Sequence, residues 1–130
     1  MIAEELFAAV RKAPAMTNVL LRAGPDLFDA NNLQAVDLKA EPVVVGYPAQ
    51  TSVPFFMWCK GRGAGDPAAA WDSGQMPAGA TANEILFLAR LSATNVNNDL
   101  YRVDVQVRAP AAVPRARSTV VGFSTLQYKP

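Results

Sequence analysis

Residues 85–108 read ILFLARLSA, TNVNND and LYRVDVQVR in succession, two extended runs joined by a turn-rich link. In the second run Tyr101, Val103, Val105 and Val107 alternate with Arg102, Asp104, Gln106 and Arg108. Alternation with period two defines a strand that has one dry face and one wet face. The link supplies Asn and Asp, whose short polar side chains suit tight turns. A β-hairpin over 84–108 is therefore the frame around which the rest of the chain is read. It is a scaffold signal and specifies no reaction.

Upstream of the hairpin the pattern is helical and then extended. Ile2, Leu6, Phe7 and Val10 share one face of a helix, with Glu4 and Glu5 near its start and Arg11 and Lys12 near its end, the charge order that the helix dipole favours. Pro14 stops it. A second short helix is predicted over 15–23, burying Met16, Val19 and Leu20 before Gly24-Pro25, so that 1–24 forms a helical cover. Residues 35–39, 43–47 and 53–59 are candidate strands within a 35–59 segment. Pro42, Pro48 and Pro54 keep them short or at an edge, because proline cannot donate to a sheet ladder. Residues 60–83, rich in Gly, Ala and Pro, read as a long loop, a feature usually tied to function or disorder. The hairpin and a final strand at 118–128 complete an 84–128 unit. The expected fold is α+β: a mainly antiparallel sheet with one or two short N-terminal helices on its apolar face, all within one domain over 1–130.

Composition narrows the chemistry. In 130 residues, 51% hydrophobic content is enough for a core without disulfides or metal. Twelve Lys and Arg against eleven Asp and Glu leave a net charge of +1, so no global field recruits nucleic acid or an anionic membrane. The start of the chain lacks the pattern of a secretory signal, and no apolar run reaches the length of a membrane span, which leads us to expect a soluble protein. The chain has no histidine, which removes Ser-His-Asp and Cys-His triads and the commonest transition-metal ligand. The lone Cys59, within the apolar run 53–59, is expected to be a packing residue. Asp66 and Asp72 flank a flexible stretch, but loop carboxylates are ordinarily just solvated. Gly61-Arg62-Gly63-Ala64-Gly65 lacks the Gly-Lys-Ser/Thr of a phosphate loop and runs into Asp66-Pro67. No enzyme and no cofactor is expected.

Two groups of residues stand out as candidate contacts. Trp71 lies in the long loop and would offer a large apolar anchor to a neighbouring subunit or ligand, with Asp66 and Met76 beside it as further interface candidates. On the wet face of the hairpin, Arg102, Gln106 and Arg108, joined by Arg90 from the paired strand, would form a surface able to contact phosphates. A plain solvated sheet face is the alternative.

The order LARLSATNVNNDLYRVDVQVRAP, a connector, then STVVGFSTLQY resembles the central hairpin and following strand of single-stranded RNA bacteriophage coat proteins, over the last third of the chain. That resemblance implies an inward RNA-facing surface carrying Arg90, Arg102, Gln106 and Arg108. It departs from the family in helix order, since the family places its helices after the last strand. The opening MIAEELFAAVRKAP is similar to the first helix of tailed-phage tail-terminator and neck proteins, which usually carry a further helix where 109–117 is too short for one. Both resemblances imply a virion structural protein, in capsid, neck or tail, assembled in the host cytoplasm. It would act by self-association with copies of itself and other virion proteins. The alternative is a small β binding module using 60–83 for a ligand or protein partner.

Overall fold

A computed structural model describes residues 2–21, 33–61, 66–73, 85–109 and 118–130. Along the chain these form α1 (Ile2–Arg11), β1 (Val19–Leu21), β2 (Gln34–Val36), β3 (Phe55–Gly61), α2 (Pro67–Ser73), β4 (Ile85–Asn95), β5 (Leu100–Ala109) and β6 (Thr119–Tyr128). Strands β3 to β6 make one antiparallel sheet in that spatial order, and β1 pairs with β2 separately. The α+β expectation holds, as do the leading helix, the hairpin and the final strand. The hairpin closes where Val96 N–H donates to Leu100 O at 3.1 Å, and Asn97 Oδ1 accepts from Asp99 N–H at 2.8 Å. That side chain imitates a backbone turn, as Asn does in Asx turns.

Register converts alternation into a core. Phe55, Leu91, Val105 and Phe123 lie in one row across the four strands, and Met57, Ala89, Val107 and Val121 in the next. α1 sets Ala3, Leu6 and Val10 on this dry face, and Met16, Val19, Leu21, Val36, Leu38 and Ala40 extend the cover. Gln127 Nε2 donates to Val10 O at 3.3 Å, tying the end of the helix to β6. Cys59 takes its place in β3 opposite Phe87. The expected burial of its thiol lies outside the described residues.

Two expected elements are replaced. The helix predicted over 15–23 is a turn leading into β1, because Met16 and Asn18 adopt positive φ (62° and 54°), which no right-handed helix accommodates. Val19 and Leu21 are buried while Leu20 faces out, a period-two pattern. Leu38 N–H donates to Met16 O at 2.7 Å and fixes the turn against the chain that follows β2. The strand expected over 43–47 is also a turn: Tyr47 N–H donates to Val44 O at 3.1 Å, and Gly46 holds a φ of 86°. Glycine meets that conformation without the Cβ penalty other residues would pay, and its tip exposes Val45 at 98%.

The segment after this turn clasps the end of β4. Ser52 N–H donates to Ala93 O at 2.8 Å and its Oγ accepts from Ala93 N–H at 2.9 Å, while Asn95 N–H donates to Gln50 O at 2.9 Å. The Asn95 side chain, only 2% exposed, then joins remote parts of the chain. Its Nδ2 donates to Glu41 O, and its Oδ1 accepts from Lys129 Nζ at 2.6 Å. The same ammonium donates to Asn97 O at 2.6 Å and sits 4.7 Å from the Tyr101 ring centroid. Replacing Asn95 with leucine keeps the branched outline but removes both side-chain hydrogen bonds at a buried position, so Asn95→Leu should lower the free energy of unfolding by about 1–3 kcal/mol. Urea denaturation with an unchanged slope checks this; a stability equal to the parent's would show that Asn95 is not a structural node.

Candidate binding surface on the polar sheet face

The opposite face of the sheet is divided along its length. At one end Trp58 and Leu88 pack with Ala70 and Trp71 of α2, and Phe56 lies against them. Further along, register brings Arg90, Gln106 and Gly122 into one row, Ser92, Asp104 and Ser124 into the next, and Thr94 opposite Arg102 in a third. With Thr51, these residues line an open depression of about 270 Å³. Its polar groups are joined to one another. Arg90 Nη1 donates to Gln106 Oε1 at 2.9 Å, Arg102 Nε donates to Asp104 Oδ2 at 3.1 Å, and Ser124 Oγ donates to Asp104 Oδ1 at 2.6 Å. Arg102 Nη2 reaches Thr94 Oγ1 at 3.5 Å, which lies 3.3 Å from Thr51 Oγ1. Two guanidinium groups thus stand against one carboxylate, in a setting of hydroxyls suited to hydrogen-bonding a polar or anionic ligand.

The two ends of this face are coupled through aromatic rings. Trp71 and Phe56 have centroids 5.6 Å apart at 57°, a tilted contact, and the Arg90 guanidinium lies 5.8 Å from the Phe56 centroid. Phe56 thus stands between α2 and Arg90.

The expected phosphate-contacting set separates into two. Arg90, Arg102 and Gln106 do share the depression. Arg108 does not join them. It occupies the row of Trp58 and Leu88, and its exposure is 0%. Alternation assigned it to the correct face, but that end of the face is covered, so it is a buried cation and not a solvated one.

Trp71, expected as an exposed anchor, is 5% exposed and packs inward from α2. Asp66 caps that helix: its Oδ1 accepts from Ala68 N–H at 3.0 Å and its carbonyl from Ala70 N–H at 3.2 Å. Asp-Pro at Asp66-Pro67 is the signature of an N-cap followed by a first-turn proline, and it was the available signal for a helix inside the long loop. Met76 lies outside the described residues. Thr51, Ser92, Thr94 and Ser124 were not singled out by sequence reasoning, since hydroxyl residues carry no distinctive spacing.

Among the described residues no helix is long and apolar enough to cross a membrane, and no group of His, Cys, Asp and Glu could hold a metal ion. Comparison of the chain with protein-family models, with curated proteins and with solved structures found no match.

Burial distinguishes the arginines in a measurable way. The Arg102–Asp104 pair is half open to solvent on the arginine side, so Arg102→Ala should alter stability by less than about 1 kcal/mol. Arg108→Glu places a carboxylate where a buried cation stood, and it should lower stability by about 3–5 kcal/mol or prevent folding. Thermal melts of the two variants side by side decide this; equal, small shifts would show that Arg108 is solvated after all.

Proposed function

We propose that this chain is a non-enzymatic structural subunit of a phage-like particle, in capsid, neck or tail, and that it works by self-association. One observation carries the reading: among the described residues, large apolar side chains stand open beside a buried core. On β6, Leu126 is 62% and Tyr128 78% exposed, and Val45, Tyr47 and Val53 project from the segment that clasps β4. Each such side chain left in water forgoes about 1.5–3 kcal/mol of burial free energy. We read them as contact points with other chains, above all on β6, where Leu126 and Tyr128 lie two residues apart on one face of an edge strand. Its partners would be copies of itself and other virion proteins, and its place the virion, assembled in the host cytoplasm. The likeness of the hairpin and β6 to RNA-phage coat strands, and of α1 to tail-terminator and neck helices, supplies the particle context.

The polar depression supports a second role within the same reading. Subunits that present Arg90 and Arg102 side by side could hold an anionic strand collectively, since modest single contacts multiply when many copies act together.

Sedimentation velocity and negative-stain microscopy of the purified chain test the main proposal. The expected result is concentration-dependent growth into rings, tubes or shells. A monodisperse monomer at millimolar concentration, under varied salt and pH, would overturn it.

A further inference from the structure

We infer that β6 pairs with β6 of a second copy about a two-fold axis centred on Ser124, extending the sheet without a break across two subunits. The inference rests on the self-association reading and specifies the surface it uses.

β6 ends the sheet, and among the described residues nothing pairs with its outer side. Its sequence, TVVGFSTLQY, contains no charge and no proline. Edge strands of isolated proteins are normally guarded by those residues, because an open row of N–H and C=O groups recruits another strand. The direction of that row can be read from the ladder. Lys129 N–H donates to Asp99 O at 2.8 Å, continuing the β5–β6 register by one pair. Backbone groups alternate in direction along an antiparallel strand, so the odd-numbered residues of β6 bond to β5. Val120, Gly122, Ser124, Leu126 and Tyr128 turn theirs outward.

These outward residues form a self-complementary series. With Ser124 opposite the partner's Ser124, Gly122 faces Leu126 and Val120 faces Tyr128, and the same holds in reverse. This register engages every outward-facing residue; a shift of the axis along the strand strands at least one end. Side-chain volumes agree with it. All of these residues point to the polar face, because Ser124 meets Asp104 there. A Cβ built on Gly122 would have nothing within 4 Å, so there is open space beside it. The exposed Leu126 of the other copy occupies that space, and the exposed Tyr128 reaches it diagonally. The other edge strand, β3, is a poorer mate: it is shorter, follows Pro54 and carries Lys60.

The axis predicts a specific cross-link. Ser124→Cys in the full-length chain places two thiols opposite each other at about 5.5 Å between Cα atoms, within disulfide reach. Leu126→Cys leaves its two copies about 14 Å apart, beyond it. Under mild oxidation the first should form a 124–124 disulfide, identified by mass spectrometry of linked peptides with the parent chain as the control for Cys59, and the second should not. Leu126→Pro removes one outward N–H and leaves the β5 ladder whole, and Leu126→Lys adds an edge charge without touching the backbone. Each should raise the concentration needed for self-association by about tenfold or more. Assembly of the parent chain with no 124–124 link, or with Leu126→Cys linking equally well, would overturn the β6 pairing and leave self-association standing. A parent chain that stays monomeric at every concentration would overturn both.

Discussion

Everything in this molecule depends on the registered alternation of β4 and β5. Opposite residues in an antiparallel pair point to the same face, so pairing Leu91 with Val105 and Arg90 with Gln106 separates apolar from polar side chains along the whole hairpin. A slip of one residue would turn Arg102, Asp104 and Gln106 into the dry layer and expose Tyr101, Val103, Val105 and Val107. Few constraints on a chain are as unforgiving. The flanking strands inherit this division, and α1 has a surface to cover only because it exists.

The second face shows how one sheet surface can hold two environments. Near α2 it is aromatic and closed, and a few residues further along it is hydroxylic and open. Phe56 stands at the boundary, touching Trp71 on one side and receiving the Arg90 guanidinium on the other. Covering one end with a short helix is enough to make Arg108 a core residue while Arg90, on the adjacent row, remains able to reach solvent. The charge that sequence alone groups together is thus divided by packing.

What was legible in the sequence follows from the strength of each periodic signal. The hairpin, α1 and β6 carry long, uninterrupted patterns, and they are where the reading placed them. Met16, Val19 and Leu20 are too few to distinguish a helical from an extended period, and the turn at Met16 is held by a hydrogen bond from Leu38, a partner remote in sequence. Residues 43–47 have strand-forming side chains, yet Gly46 and the prolines on either side make a turn there. Trp71 reads as a loop residue because Gly/Ala/Pro composition hides a seven-residue helix, although Asp66-Pro67 announces its start. Of the polar site, alternation supplied the face. It could not supply which rows of that face remain uncovered.

The bond from Gln127 to the carbonyl of Val10 joins residues 117 positions apart, and it bears on the order in which these elements can fold. α1 leaves the ribosome well before β5 and β6, which together with β1 build the surface that it covers. An amphipathic helix of ten residues has little stability by itself in water. Part of its apolar stripe therefore waits without its sheet until β5 and β6 have emerged. The hairpin, whose contacts are local, can organise as soon as it emerges, whereas docking of the helix closes the structure at the end. A nascent chain of this design has an interval in which a chaperone, or a neighbouring chain on the same message, meets that stripe before its own sheet does.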